Sequence, residues 1–245
     1  LGCRAWNNSD DNWDLYMVYH PITIDNCWSW NAGKRLDNST PGNGNGFKLG
    51  GGGTSGGAAF AQSVGAHVVR NCVAFDCYAK GFDQNNAYEA MYLFNNVAWG
   101  NAYNYRFPTI LMYGTMYIRN CIGFKATTLN HEFLSADKEG AQVPNTTFNS
   151  WTTFDGCDPY KDGNKVNGVA VKAQDYTSQF KSLSSDLFLA PRQADGSLPD
   201  NDFAKLISGS KFINAGENIE NFSPAAHSPG GLTLAPVSIL YNDGK

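Results

Sequence analysis

A single lysine, Lys48, sits in Gly44-Asn45-Gly46-Phe47-Lys48-Leu49, just ahead of Gly50-Gly51-Gly52-Gly53, with no charged neighbour. It is therefore not one of a solvated charge run. Upstream, Asn8-Ser9-Asp10-Asp11-Asn12-Trp13-Asp14 gathers three carboxylates into five residues. Clustered carboxylates repel unless a cation neutralises them, and a hard, oxygen-seeking ion such as Ca²⁺ does so. The spacing is not that of an EF-hand loop. An acidic surface turn is the competing reading. On an extended strand Asp10 and Asp11 face opposite sides, so a turn must bring them together with Asp14.

Lysine and metal together suggest proton abstraction from carbon. A lysine is a base only when neutral, and its free pKa is near 10.4. A neighbouring cation and burial both disfavour the ammonium form, whereas a carboxylate such as Asp83 opposes them. The acidic carbon that suits this pair is one beside a carboxylate, as C5 of a uronic acid. Lys48 would take that proton, a cation on Asp10, Asp11 and Asp14 would hold the substrate carboxylate, and the C4 oxygen would leave by β-elimination.

What could position these groups is a repeat. Ile24-Asp25-Asn26-Cys27-Trp28, Val69-Arg70-Asn71-Cys72-Val73, Leu93-Phe94-Asn95-Asn96-Val97 and Ile118-Arg119-Asn120-Cys121-Ile122 share one frame, with a degenerate copy expected at Phe148-Asn149-Ser150-Trp151. A second frame lies between these copies: Trp13-Asp14-Leu15, Phe47-Lys48-Leu49, Phe82-Asp83-Gln84, Tyr105-Arg106-Phe107 and Asn130-His131-Glu132. A unit of about two dozen residues built from short β segments marks a solenoid. The predicted architecture is an all-β parallel β-helix with coils about 4.8 Å apart, so that equivalent residues stack in columns. One column is an asparagine ladder at a turn (Asn26, Asn71, Asn95, Asn120). Cys27, Cys72 and Cys121 stack inside as small hydrophobes. Asp14, Lys48, Asp83 and Arg106 line an exposed face, with His131 expected to continue it. Lys48's own unit carries two Gly-rich insertions, and inserted loops are where function concentrates.

Composition agrees. The 245 residues include 26 Gly and 33 aromatics, few charges and a net charge of −4, which suits a turn-rich β protein and gives no basic footprint for nucleic acid. No apolar run reaches the ~20 residues that span a bilayer. Six cysteines lack paired zinc spacing and read as buried thiols. The start at Leu1-Gly2-Cys3 gives the expectation of a helix entered mid-fold, N-terminally truncated. Residues 1–216 are expected to form the β-helix, with Asp186–Arg192 and Phe203–Ala215 as its last irregular coils. Residues 217–245 are expected to be a capping tail.

Arg106 and Arg35 are candidates for holding substrate carboxylates, and Asn85 for lining a subsite. Lys34 and Lys80 read as solvated surface. Trp28, Trp30 and Trp99 read as packed core rather than sugar platforms. An inverting hydrolase using Asp10 and Asp11, or a non-catalytic carbohydrate-binding β-helix, are the alternatives to a lyase.

Gly2-Cys3-Arg4-Ala5-Trp6-x-Asn8-Ser9-Asp10-Asp11-x-x-Asp14, followed by Asn45-Gly46-Phe47-Lys48-Leu49-Gly50-Gly51, resembles polysaccharide lyase family 9. So do Asn71–Asn86 and Ser208–Gly216. The resemblance implies a pectate or rhamnogalacturonan lyase with Lys48 as Brønsted base and Asp10, Asp11 and Asp14 as Ca²⁺ ligands. It also implies a further aspartate one coil upstream, ahead of Leu1. A secreted, periplasmic or cell-surface monomer acting on acidic plant cell-wall polysaccharide is the expectation that follows.

Overall fold

Each Asn of the ladder marks a corner. Asn26, Asn71, Asn95 and Asn120 have φ of 51°, 56°, 56° and 55°, the left-handed region that asparagine enters more readily than other side chains. A second series of left-handed residues, Asn7, Asn31, Asp76, Gly100 and Lys125, turns the chain at the far end of the following strand. Between these corners only two-to-five-residue strands fit, and the chain winds.

The computed structural model describes residues 1–18, 20–34, 37, 39, 42–51, 66–88, 91–109, 115–133, 149–150, 164–166, 169–171, 177–210, 212–213 and 216. Three parallel sheets result. The first stacks β1 (Arg4–Trp6), β4 (Trp28–Trp30), β7 (Val73–Phe75), β10 (Val97–Trp99) and β13 (Ile122–Phe124). The second stacks β2 (Trp13–Asp14), β5 (Phe47–Lys48), β8 (Lys80–Asp83), β11 (Tyr103–Phe107) and β14 (Leu129–Phe133). The third stacks β3 (Thr23–Asp25), β6 (His67–Arg70), β9 (Met91–Phe94) and β12 (Tyr117–Arg119). Successive strands visit the three sheets in rotation, which is a right-handed parallel β-helix. A separate antiparallel pair joins β15 (Asn164–Val166) to β16 (Val169–Val171).

The interior is filled in columns. Under the second sheet, Trp13, Phe47, Phe82 and Tyr105 stack with ring centroids 5.8, 4.9 and 5.1 Å apart and planes within 11°. Tyr105 is fully buried because its hydroxyl donates to Asn96 O and Ile122 O at 2.9 and 3.0 Å. At the asparagine corner the inward position reads Cys3, Cys27, Cys72, Asn96, Cys121, Asn149. Each side chain accepts the backbone N–H of the preceding coil: Cys3 to Cys27 Sγ, Cys27 to Cys72 Sγ, Cys72 to Asn96 Oδ1, and Cys121 to Asn149 Oδ1. Cys27, Cys72 and Cys121 are thus buried free thiols as expected, with Asn96 set between the last two. The degenerate fifth copy exists but is displaced by one: Asn149 takes the cysteine place, not the ladder place.

The region from 177 to 213 departs from expectation. It does not continue the winding. Phe180, Phe188, Leu198, Phe203, Leu206 and Phe212 lie across the outside of the first sheet, over Trp28, Trp30, Phe75, Trp99 and Phe124. Phe188 packs 4.6 Å from Trp28 and 4.3 Å from Phe75, and Arg4 donates to Phe188 O and Ala190 O at 3.0 and 2.8 Å. The cause is visible in the strands: in β4, β7, β10 and β13 the outward positions of this sheet are apolar and need cover. Burial of Trp28, Trp30 and Trp99 rules them out as sugar platforms. The expected tail 217–245 lies outside the described residues.

Candidate active site

The second sheet carries the chemistry. Asp14 pairs in register with Lys48, Lys48 with Asp83, Asp83 with Arg106, and Arg106 with Glu132. The aromatic ladder beneath fixes this column, because with Trp13, Phe47, Phe82 and Tyr105 inside, strand alternation puts their successors outside. His131 is not on it. It pairs with Tyr105, so Glu132 continues the charged column instead.

Lys48 is only 8% exposed. Its Nζ lies 3.1 Å from Asp11 Oδ2 and 3.1 Å from Asp14 Oδ2. Asp14 Oδ1 accepts Tyr16 N–H at 2.7 Å, and Asp11 Oδ1 accepts Asn45 N–H at 2.8 Å. Asp10 stands apart from the amine and accepts Asn43 N–H. The aspartate turn is held against the strand of Lys48 by Asn12 N–H to Asn45 O and Trp13 N–H to Gly46 O, at 3.0 and 3.1 Å. Gly42 makes that approach possible, since a side chain there would run into Asp10. Toward the next coil, a side chain at Gly46 would meet Gly81 O at 2.8 Å.

Burial and the two aspartates act on Lys48 in opposite directions. Burial pulls its pKa down and is the largest single influence, but Asp14 and Asp11 together outweigh it and hold the amine above the ordinary lysine range. Burial pushes the Asp11 carboxyl up, against the Asn45 amide and Lys48.

Asp83 is buried and pairs with Lys80 at 3.3 Å. Lys80 is therefore part of the site's wall rather than solvated surface, a role its i,i+3 spacing did not disclose. Arg106 is half-buried on the column and lies over the Tyr103 ring at 5.2 Å. Asn85 donates to Gly50 O at 2.8 Å, bracing the chain that leaves Lys48. Lys34 donates to Asn31 Oδ1. Arg35 lies outside the described residues. Tyr16 was missed: its ring centroid is 5.1 Å from Lys48 Nζ. The signal was its place two residues after Asp14, in the turn that follows that strand.

Among the described residues no three acidic, His or Cys side chains are close enough to enclose one metal ion. The donor chemistry nevertheless fits a hard cation. Asp11 Oδ2 is buried and has no hydrogen-bond donor in good geometry, although the Lys48 amine is within ion-pair distance. Asp11 and Asp14 already converge, and Asp10 is in the same turn.

Residues 1–115 match the family described as Pel9A-like, right handed beta helix region. The chain is 34% identical over 232 residues to pectate lyase L of Dickeya dadantii (strain 3937), covering 94% of this chain and 46% of that protein. It is 31% identical over 229 residues to pectate lyase PEL9 of Emericella nidulans, covering 85% of this chain and 47% of that one. Its structure is similar to that of pectate lyase Pel9A (TM-score 0.67, 33% identity, 89% of this chain and 46% of that one). It is also similar to a rhamnogalacturonan lyase (TM-score 0.63, 25% identity, 84% and 47%). The chain spans about half the length of these relatives.

Proposed function

We propose that the chain, a right-handed parallel β-helix whose residues 1–115 match the Pel9A-like family, is a polysaccharide lyase of family 9 that cleaves a uronic-acid-containing pectic polysaccharide by β-elimination. The substrate class is homogalacturonan or the rhamnogalacturonan-I backbone. Lys48 is the base, and Asp10, Asp11 and Asp14 hold Ca²⁺. The observation that carries this reading is the convergence of Asp11 and Asp14 on the Lys48 amine, each 3.1 Å away, on an outward face.

The residues divide the work. Lys48 must shed its proton before it can accept one. Its two carboxylate partners are what hold it protonated, so drawing Asp11 and Asp14 to another partner leaves burial as the ruling influence, and burial favours the free amine. Bound calcium supplies positive charge for those carboxylates and for the substrate's own. Lys48 then abstracts the C5 proton, the C4–oxygen bond breaks, a C4=C5 double bond forms, and the departing oxygen is protonated. No water is consumed. Arg106, one coil beyond Asp83, faces the neighbouring subsite, where it meets a substrate carboxylate.

Hydrolysis by Asp10 and Asp11 is the alternative; each accepts a backbone amide at Oδ1, and the product tells the two apart, since an inverting hydrolase leaves no double bond. A polymer of this kind is met outside the cell, which places the protein in a secreted, periplasmic or cell-surface setting. The site is assembled from one chain's own coils, consistent with a monomer; among the described residues no helix is long and apolar enough to cross a membrane. The test is absorbance of the unsaturated uronate on incubation with each polymer and Ca²⁺. Rising absorbance is expected. New reducing ends without it would mean hydrolysis and end the proposal.

A further inference from the structure

We infer that Tyr16 is a sugar-binding platform, its ring receiving the apolar face of the galacturonate residue whose C5 proton Lys48 removes. The inference rests on the reading of Lys48 as base and deepens it.

Three observations place the ring. Tyr16 is 52% exposed although its centroid is 5.1 Å from a nearly buried amine. Its backbone is fixed: Tyr16 N–H donates to Asp14 Oδ1 at 2.7 Å, Met17 N–H to Gly51 O at 3.2 Å, and Val18 N–H to Leu15 O at 3.1 Å. Met17 follows with φ 58°, a conformation a long unbranched side chain adopts only at a cost, and it too is half exposed. Strain of that kind persists where surrounding contacts over-determine it, and it clusters at functional sites. Here the turn anchors to both Asp14 and the Gly51 strand, and its effect is to keep an aromatic ring in solvent beside Lys48.

Substrate stereochemistry explains why a ring belongs there. In the ordinary chair of a galacturonate residue the hydrogens on C3 and C5 are axial on one face, and the C4 hydrogen leans toward it. That face is the sugar's C–H patch, while the C4 oxygen departs from the other side. A base that takes the C5 hydrogen must therefore approach through the apolar face. An aromatic ring alongside its amine supplies the matching apolar surface at low conformational cost. Before substrate binds, the ring face interacts with the Lys48 cation; when the amine is neutral, that face is left for the sugar.

The test is calorimetric titration of hexagalacturonate, in calcium buffer, into Lys48→Met and into the same variant carrying Tyr16→Ala or Tyr16→Phe. Lys48→Met retains the stem beneath the ring but cannot turn the ligand over. Tyr16→Ala should weaken binding by about tenfold, the value of an aromatic contact, and Tyr16→Phe should leave it unchanged. Equal affinity for the Ala and Tyr forms overturns the platform while the base assignment stands. A Phe form as weak as the Ala form also overturns it, since the contact would then be the hydroxyl. If Lys48→Met binds no hexagalacturonate and the unaltered chain shows no lyase turnover, the assignment beneath the inference falls with it.

Discussion

Asp14 and Lys48 are register partners on adjacent coils, joined by a 3.1 Å contact between Oδ2 and Nζ. Since Asp14 is also tied to Tyr16 N–H, this one carboxylate links the aspartate turn, the amine and the backbone of Tyr16.

Lys48→Ala tests the base. General-base catalysis is worth roughly 10²–10⁴-fold, so turnover should fall by at least that factor, read as unsaturated-uronate absorbance. The circular dichroism spectrum should persist, because the Phe47 and Phe82 stack below does not depend on the amine. Retained turnover would remove Lys48 from the mechanism.

Asp11→Asn tests the cation site. Asp11 Oδ2 is a buried carboxylate oxygen with no hydrogen-bond donor in good geometry, within ion-pair distance of Lys48. Losing its charge should weaken Ca²⁺ binding by at least the roughly 10–100-fold that outer-shell losses cost, measured by calorimetry on the chain without substrate. Chelator should abolish turnover and added Ca²⁺ restore it. Unchanged calcium affinity would exclude Asp11 as a ligand.

The Lys48 column was legible because two rules agree along it. Strand alternation sets inside from outside, and the aromatic–charged frame recurs once per coil, so Asp14, Lys48, Asp83 and Arg106 could be aligned before any coordinates existed. Both rules fail at Leu129-Asn130-His131-Glu132-Phe133, where polar residues fill three consecutive places. There the ladder pairs Leu129 with Tyr103 and Phe133 with Phe107. The outer blanket of Phe180, Phe188, Phe203 and Phe212 escaped notice for a different reason: contacts so distant in sequence leave no period. The clue was instead in the strands it covers. Trp28 and Trp30, Val73 and Phe75, Val97 and Trp99, and Ile122 and Phe124 put two apolar side chains per coil outward, which only a covering segment can bury. The contact of Asp11 with the Lys48 amine was not legible, because it depends on how far the preceding coil's turn folds back, which sequence spacing does not show.

His67 makes stability depend on pH. It accepts Ile22 N–H at Nδ1 (3.1 Å), and burial pulls its pKa from 6.5 to about 4. The unfolded chain therefore takes the proton first. Stability from this residue is complete above about pH 6.5 and is lost as the pH falls toward 4. Urea unfolding at pH 5 should show about 2 kcal/mol less stability than at pH 7 from this group, and His67→Asn should lose that part of the difference. An unaltered pH dependence in the variant would show that His67 is not held neutral.

Gly46→Ala tests whether coil spacing sets the site. Gly46 needs no special φ. Its constraint is crowding, since a Cβ there would come within 2.8 Å of Gly81 O, 3.1 Å of Ser29 Oγ and 3.2 Å of Ala74 Cβ. Gly81 O is backbone and cannot swing aside, so the two coils must part. Overpacking of this kind costs about 1–3 kcal/mol, whereas Leu189→Ala, at a side chain 66% exposed, should change stability by less than about 0.5 kcal/mol. Lys48 is two residues further on the same strand, and a shift of that strand moves the amine away from Asp11 and Asp14. A loss of kcat larger than the loss of folded protein is therefore expected. If Gly46→Ala matches the parent in unfolding midpoint and in kcat, the close approach of these coils is not what holds Lys48 in place.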